Sequence, residues 1–412
     1  MHQLTRTLVA ASALALTSAP STDHTSVLAH DALADSVTVI HAATLLDGRG
    51  GTARNVWVVV RGNHIERVSA TAVTIPNARI IELGNATLLP GLIDSHTHPG
   101  WYVDKNGKRN SNRSGDTPAE ATLAQAGNVY ATLMAGFTTI QSLGGAEDLY
   151  LRDATARGVI PGPRIITSIT QINNVRSTPD SLRAQVRRLK EHGADVIKLF
   201  ASAGLGSGGA QTLSDEQIAA ICSEAKSVGL RSVVHAISAA SVRASVVGGC
   251  TQIEHGMFVT DAELKLMAEH GTIFDPQVCL VLQNYIDHPD AYSFTDSTLK
   301  PLKDAMPIAA AMFTRAIKVP GLKIVFGTDA VAFAHGRNAE ELICRVKAGQ
   351  SPMDALISAT SGGANALGLG DRIGSVVAGY DADLIATDGD PSRDIGATKR
   401  IVFVMRSGVR YR

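Results

Sequence analysis

From Leu92 onward, short apolar runs alternate with longer amphipathic ones, and this alternation constrains the fold of the 412-residue chain more than any other feature. Strand-like runs fall at Leu92–His96, Phe137–Leu143, Arg164–Thr170, Val196–Ala201, Arg231–His235, Gln252–His255, Thr272–Asp275 and Lys323–Thr328. Helix-like stretches lie between them, among them Pro179–His192, Ser214–Val228 and Asp261–His270. Ser214 and Gln217 form a capping box that fixes the start of the second. Eight strands alternating with helices predict an α/β protein with a parallel sheet closed as a (β/α)8 TIM barrel. Hydrophobic residues make up 45% of the chain, enough for a large core, and 38 glycines suit many tight strand-to-helix turns. Basic and acidic residues balance at 38 each, which argues against a nucleic-acid surface or a polybasic membrane patch.

The two ends of the chain read differently. Val37–Leu46, Asn55–Arg61, Ile65–Val68 and Arg79–Leu83 are strand-like runs separated by turn signals, with no helices between them. After helical stretches at Ala339–Gly349 and Pro352–Leu367, strand-like runs return at Ile373–Val377, Ala382–Thr387 and Ile401–Arg406. These runs predict a small β-sandwich domain built from residues 36–88 plus 370–412, flanking a barrel of residues 89–369. Residues 1–30 read as a signal peptide and linker. Arg6 precedes the apolar run Leu8–Leu16, small residues follow at Thr17-Ser18-Ala19, and Pro20 shifts the expected cut toward Ala29. The expected location is therefore periplasmic or secreted. No segment is long enough in uninterrupted apolar residues to span a bilayer, so no membrane partner is expected of the mature chain. Cys222, Cys250, Cys279 and Cys344 are far apart and form no Cys-x-x-Cys. They read as separate core thiols, although an exported chain could form a bridge.

Active sites of such barrels sit where the strands end. Five strand ends carry metal-binding or titratable groups. The first ends in His96-Thr97-His98, between the turn signals Pro90-Gly91 and Pro99-Gly100. Residues two apart in a strand share a face, so the two imidazoles aim at one point. The fourth carries Lys198 inside an apolar run, the fifth ends in His235, the sixth in His255 and the eighth in Asp329. Each residue alone has an ordinary structural reading. Together on one rim they point to a metal site, with His and carboxylate ligands that suit Zn²⁺ among the divalent metals.

This set resembles the amidohydrolase superfamily of binuclear metal hydrolases. The likeness is carried by Leu89-Pro90-Gly91-Leu92-Ile93-Asp94-Ser95-His96-Thr97-His98, Gly136-Phe137-Thr138-Thr139-Ile140, Ile253-Glu254-His255-Gly256, Gly327-Thr328-Asp329-Ala330 and Ala382-Asp383-Leu384-Ile385. Within it, Ala194-Asp195-Val196-Ile197-Lys198 and Ala334-His335-Gly336-Arg337-Asn338 resemble the imidazolonepropionase-related branch, which includes Xaa-Pro and Xaa-Arg dipeptidases and ochratoxin-hydrolysing amidohydrolases. The resemblance implies two divalent metals, with His96, His98 and Asp329 on the first and His235 and His255 on the second. It implies that an N6-carboxylated Lys198 and a hydroxide bridge them, with Asp329 as the general base and acid. It also implies a homo-oligomer. One departure stands out: many relatives carry Gly-Gly-His after the third strand, where this chain has Ser168-Ile169-Thr170-Gln171-Ile172-Asn173-Asn174. Dipeptidase specificity therefore does not transfer residue by residue.

Candidate substrate contacts are His335, in a loop after the eighth strand, and Trp101 and Tyr102, directly after the metal histidines. Arg176 and Arg243 are arginines that could meet a substrate carboxylate. The expected reaction is cleavage of the amide to a C-terminal amino acid, in a dipeptide, an N-acyl amino acid or an ochratoxin A-like amide. The alternatives are a cyclic-amide hydrolase of the imidazolone or hydantoin type, and an inactive binding protein on the same fold.

Overall fold

The computed structural model describes residues 36–412 except 112 and 146; the expected export segment lies outside the described residues. Strands β1 (Val37–Leu46), β2 (Thr52–Arg61), β3 (His64–Ser69), β4 (Arg79–Glu82) and β5 (Thr87–Pro90) come first. Next are β6 (Leu92–Thr97), β7 (Phe137–Ser142), β8 (Arg164–Thr167), β9 (Gln171–Ile172), β10 (Val196–Phe200), β11 (Arg231–Ser238), β12 (Gln252–Phe258), β13 (Ile273–Asp275) and β14 (Lys323–Ile324). The chain closes with β15 (Leu384–Thr387), β16 (Ile401–Arg406) and β17 (Val409–Arg410).

The middle strands pair in parallel as β6-β7-β8 and β9-β10-β11-β12-β13-β14. The expected third strand is split into β8 and β9 because Ile169 takes a positive φ of 63°. Across that break, Asp195 N donates to Thr167 O at 2.8 Å. At the other seam, Ser95 N donates to Phe326 O, Asp329 N to His96 O and His98 N to Ala330 O, at 2.7–2.9 Å. Hydrogen bonds thus link the parallel strands into a closed ring. Helices fall between them where expected: Pro179–Glu191, Asp215–Ser227 behind the Ser214–Gln217 capping box, and Asp261–His270. No helix among the described residues is long and apolar enough to cross a membrane.

Strand periodicity sorts side chains between the ring's interior and the helix layer. Ile197 and Leu199 join Val234, Ala236 and Ile253 in one hydrophobic cluster with the helices. Lys198, of opposite parity to Ile197 and Leu199, is buried on the interior side. Glu254 likewise has opposite parity to Ile253 and is buried.

Both chain ends enter one eight-stranded sheet, in the order β17-β16-β15-β5-β1-β2-β3 with β4 beside β1. A sandwich of two facing sheets was expected. The ten-residue β1 instead pairs with β4 along its first half and with β5 along its second, keeping the sheet continuous. Two further expectations fail locally. Residues Ile373–Val377 form no strand, because Gly374 takes a φ of +80° and a Cβ there would lie 2.7 Å from the Thr360 carbonyl. The stretch Pro352–Leu367 breaks into helices Pro352–Ser358 and Ser361–Ala366.

The cysteines are not separate thiols. Cys222 pairs with Cys250 and Cys279 with Cys344, across Cα separations of 4.9 and 6.2 Å. The partners lie 28 and 65 residues apart, so only the tertiary fold brings them together. The second bridge ties the segment after β13 to the helix Ala339–Lys347. Glu341 of that helix accepts from the backbone N–H groups of Val278, Cys279 and Leu280. The fully buried Arg345 donates to Pro276 O and to Asp275. Cys344→Ser should lower unfolding free energy in urea by about 2–4 kcal/mol. An unchanged midpoint and slope would show that Glu341 and Arg345 hold the segment unaided.

Candidate active site

The site lies at the C-terminal ends of the parallel strands. Alternation along β6 places Asp94, His96 and His98 on one face. His96 Nε2 lies 3.3 Å from His98 Nε2 and 3.3 Å from Asp329 Oδ1, and His98 Nε2 lies 3.1 Å from the same oxygen. Ligands about 2.0–2.1 Å from a tetrahedral ion sit roughly 3.3–3.4 Å apart, so this triangle has the size of one face of such a site. His235 stacks on Phe200 and meets His255 edge-on, with ring centroids 4.6 Å apart for the two histidines. His96 and His255 are 5.3 Å apart by the same measure. Lys198 Nζ and His98 Nδ1 are buried and have no hydrogen-bond partner among the described residues. These orphaned donors, beside convergent imidazoles and a carboxylate, fit a metal centre.

Two of these residues reach the site against strand periodicity. His255 has the parity of Ile253, which faces the helix layer. A φ of 68° at His255, followed by 56° at Gly256, turns its imidazole into the cavity instead. A Cβ at Gly256 would lie 2.6 Å from the Phe274 ring, so glycine is required there twice over. Asp329 also takes a left-handed φ, of 54°. Its neighbours pin that turn: Thr328 donates to Asp94 through both N and Oγ1, Asn338 Nδ2 donates to Asp94 Oδ2, and Ala330 N donates to Thr328 Oγ1. Strained backbone held this way is typical of functional positions.

Burial sets most of the charge states. It pushes His96, His255 and His235 below the ordinary imidazole range, His235 to about 4, leaving neutral rings able to ligate. Burial also lowers the Lys198 amine, favouring its neutral, nucleophilic form. Burial would raise the Asp329 carboxyl, but the positive charge of its neighbours His96 and Lys198 when they are protonated, and its hydrogen bond with His98, pull it down, to about 2.

These groups form the floor of a cavity of about 510 Å³. Its walls are apolar: Ile237, Met257, Leu282, Tyr285, Tyr292, Phe294 and Leu302 are among them. Much of the roof comes from the β13-to-β14 connection, through helices Leu280–Asp287 and Asp296–Ala316. Trp101 lines the cavity and packs against His98 with centroids 5.6 Å apart. Tyr102 is buried outside it and packs the loop. His335 is not among the lining residues either; its Nε2 lies 3.3 Å from the Trp101 carbonyl, facing a separate cavity. Arg176 is exposed and Arg243 pairs with Glu263 at the surface. The arginine that does line the cavity is Arg109, whose guanidinium lies 4.1 Å over the Trp101 ring and whose buried Nε has no hydrogen-bond partner among the described residues. Its position in a long loop gave no periodic signal. Within the stretch that stands where many relatives carry Gly-Gly-His, Gln171 lines the cavity.

The profile described as the amidohydrolase family matches residues 87–411. The chain belongs to the amidohydrolase family. An imidazolonepropionase of Pseudomonas putida is 25% identical over 396 residues, covering 84% of this chain and 90% of that protein. Among solved structures, a Xaa-Pro dipeptidase with bound methionine superposes with a TM-score of 0.83 at 29% identity, covering 91% of this chain and all of the other. An ochratoxinase of A. niger shares the fold, with a TM-score of 0.78 at 24% identity over 92% of this chain and 96% of that one. This member of the amidohydrolase family is therefore a hydrolase, similar to the imidazolonepropionase-related branch. The convergent ligands predict bound divalent metal in the purified protein by elemental analysis, and less of it in His235→Ala. Full activity after exhaustive chelation would contradict it.

Proposed function

We propose that this amidohydrolase cleaves the amide bond to a C-terminal amino acid, using a pair of divalent metals, most naturally Zn²⁺. The single observation that carries the substrate class is Arg109. Arg109 lines the cavity beside the candidate metal centre, half-buried, in no salt bridge among the described residues and with its Nε buried, which leaves its guanidinium available to an anion. A free α-carboxylate satisfies it through two charge-assisted hydrogen bonds. The apolar wall then takes the acyl group or side chain of a dipeptide, an N-acyl amino acid or an ochratoxin-like amide.

His96, His98 and Asp329 would hold one ion, His235 and His255 the other, with N6-carboxylated Lys198 between them. The depressed amine of Lys198 supports that modification, since a carbamate forms on a neutral amine and turns a buried cation into an anionic ligand. When bound, the metals supply Lewis-acid polarisation and water activation. Asp329 takes the proton of the attacking water and delivers it to the leaving amine, which leaves poorly unless protonated. Arg109 orients the substrate, and Trp101 stacks beneath Arg109 and keeps it aimed at the cavity.

The strand ring is the (β/α)8 barrel expected for this family, spanning roughly 89–369 and flanked by the sheet from the two chain ends. Two disulfides support export to an oxidising compartment. Exposed Leu123 and Tyr130, seven residues apart on one helix, offer a face for self-association. A second reading, hydrolysis of a cyclic amide, is favoured by the similarity to imidazolonepropionase.

Asp329→Asn should retain its metals and lose turnover by about 100- to 10,000-fold; near-normal turnover would refute the proton-transfer role. Arg109→Met should raise KM for free-acid substrates by about 10- to 100-fold and leave C-terminally amidated analogues unaffected. Equal effects on both would remove the carboxylate from the account.

A further inference from the structure

We propose that Glu254 is a positioning residue that orients His96 for its metal. Glu254 precedes a site histidine in sequence, but its side chain points elsewhere. Strand parity turns it inward with Gln252, beneath the cavity floor. Its Oε2 lies 2.5 Å from His96 Nδ1, while Oε1 accepts from Gln252 Nε2 at 2.8 Å. All three side chains are buried.

The two nitrogens of an imidazole lie on opposite sides of its ring. With Nδ1 held against Glu254, Nε2 is the nitrogen that faces Asp329 and His98. A carboxylate hydrogen-bonded at Nδ1 would keep the proton there and leave the Nε2 lone pair free to ligate. Gln277 Nε2 lies 3.4 Å from the same Nδ1; being a donor, it makes no hydrogen bond there while Nδ1 carries the proton, which leaves Glu254 as the acceptor. Ser95 Oγ and Arg345 fix the neighbouring Asp275, which leaves Glu254 little room to swing away. The sixth strand would thus serve both sides of the centre: His255 as a ligand and Glu254 as the support for a ligand on the first strand. This inference rests on His96 being a metal ligand.

The test measures zinc affinity of the zinc-loaded protein by chelator competition, for wild type, Glu254→Gln and Glu254→Asp. Asp keeps the charge but shortens the reach. The inference expects both variants to hold one ion as wild type does and to bind the other about 10- to 100-fold more weakly, with thermal unfolding little changed. Wild-type affinity for both ions in Glu254→Asp would overturn it, because charge alone would then suffice. Parallel loss of both ions would also overturn it, as general disruption of the fold. If Glu254→Gln does not fold, Glu254→Asp decides alone. Wild-type protein that binds no zinc would instead defeat the metal-centre reading on which this rests.

Discussion

Lys198 is the residue on which the rest of the site depends. A strand in a parallel ring is buried on both faces, and alternation forces every second side chain toward the axis. At Val196–Phe200 that places a lysine amine in the interior, fully buried and without a hydrogen-bond partner among the described residues. An isolated buried ammonium is costly. Around it the fold gathers three buried histidines, Asp329, Glu254 and Asp275. This polar interior, inside a shell of Ile, Leu and Val, is what a barrel built only for stability would avoid.

Reaching that geometry strains the backbone. His255 and Asp329 leave the regular strand conformation to present their side chains. Both turns are supported from outside: Phe274 packs against Gly256, and Asp94 collects three donors from Thr328 and Asn338. Gly327 belongs to the same support, since a Cβ there would lie 2.0 Å from Asp275 Oδ2. The Gly-Thr-Asp triplet thus reads as a close approach, a hydrogen-bonded anchor and a carboxylate facing the cavity in consecutive positions. On the opposite side, Arg345 and the Cys279–Cys344 bridge fasten the segment that supplies Gln277, Leu282 and Tyr285 to the cavity.

The floor of the site was legible in the sequence, and the roof was not. His96, His98, Lys198, His235, His255 and Asp329 stand on or just after strand-like runs that are visible in the sequence, although His255 and Asp329 turn into the site only through left-handed backbone that periodicity does not show. The structure brings all of them to one place. Arg109, Tyr285, Tyr292 and Phe294 come from long connections whose path is fixed by tertiary packing. Pro301 and Pro307 lie inside the helix Asp296–Ala316 and disguise it as a loop. His335 and Tyr102 were plausible by proximity in sequence, but they point away from the cavity. The disulfides were hidden for the same reason as the roof, since neither pair shows a local spacing. Glu254 stood in view within Ile253-Glu254-His255-Gly256, and only the distance to His96 separates it from its neighbour's role.

The central claim is that a carboxylate-bearing linear amide is cleaved at this centre. The most direct test is a hydrolysis panel with the zinc-loaded protein: N-acyl amino acids, Xaa-Pro, Xaa-Arg and Xaa-Phe dipeptides, ochratoxin A, and cyclic imides and imidazolones. The account predicts release of a free C-terminal amino acid, fastest for substrates with a bulky apolar group to fill the wall formed by Tyr285, Tyr292, Phe294 and Leu302. Turnover confined to the cyclic compounds would contradict it and establish the imidazolone-type reaction instead.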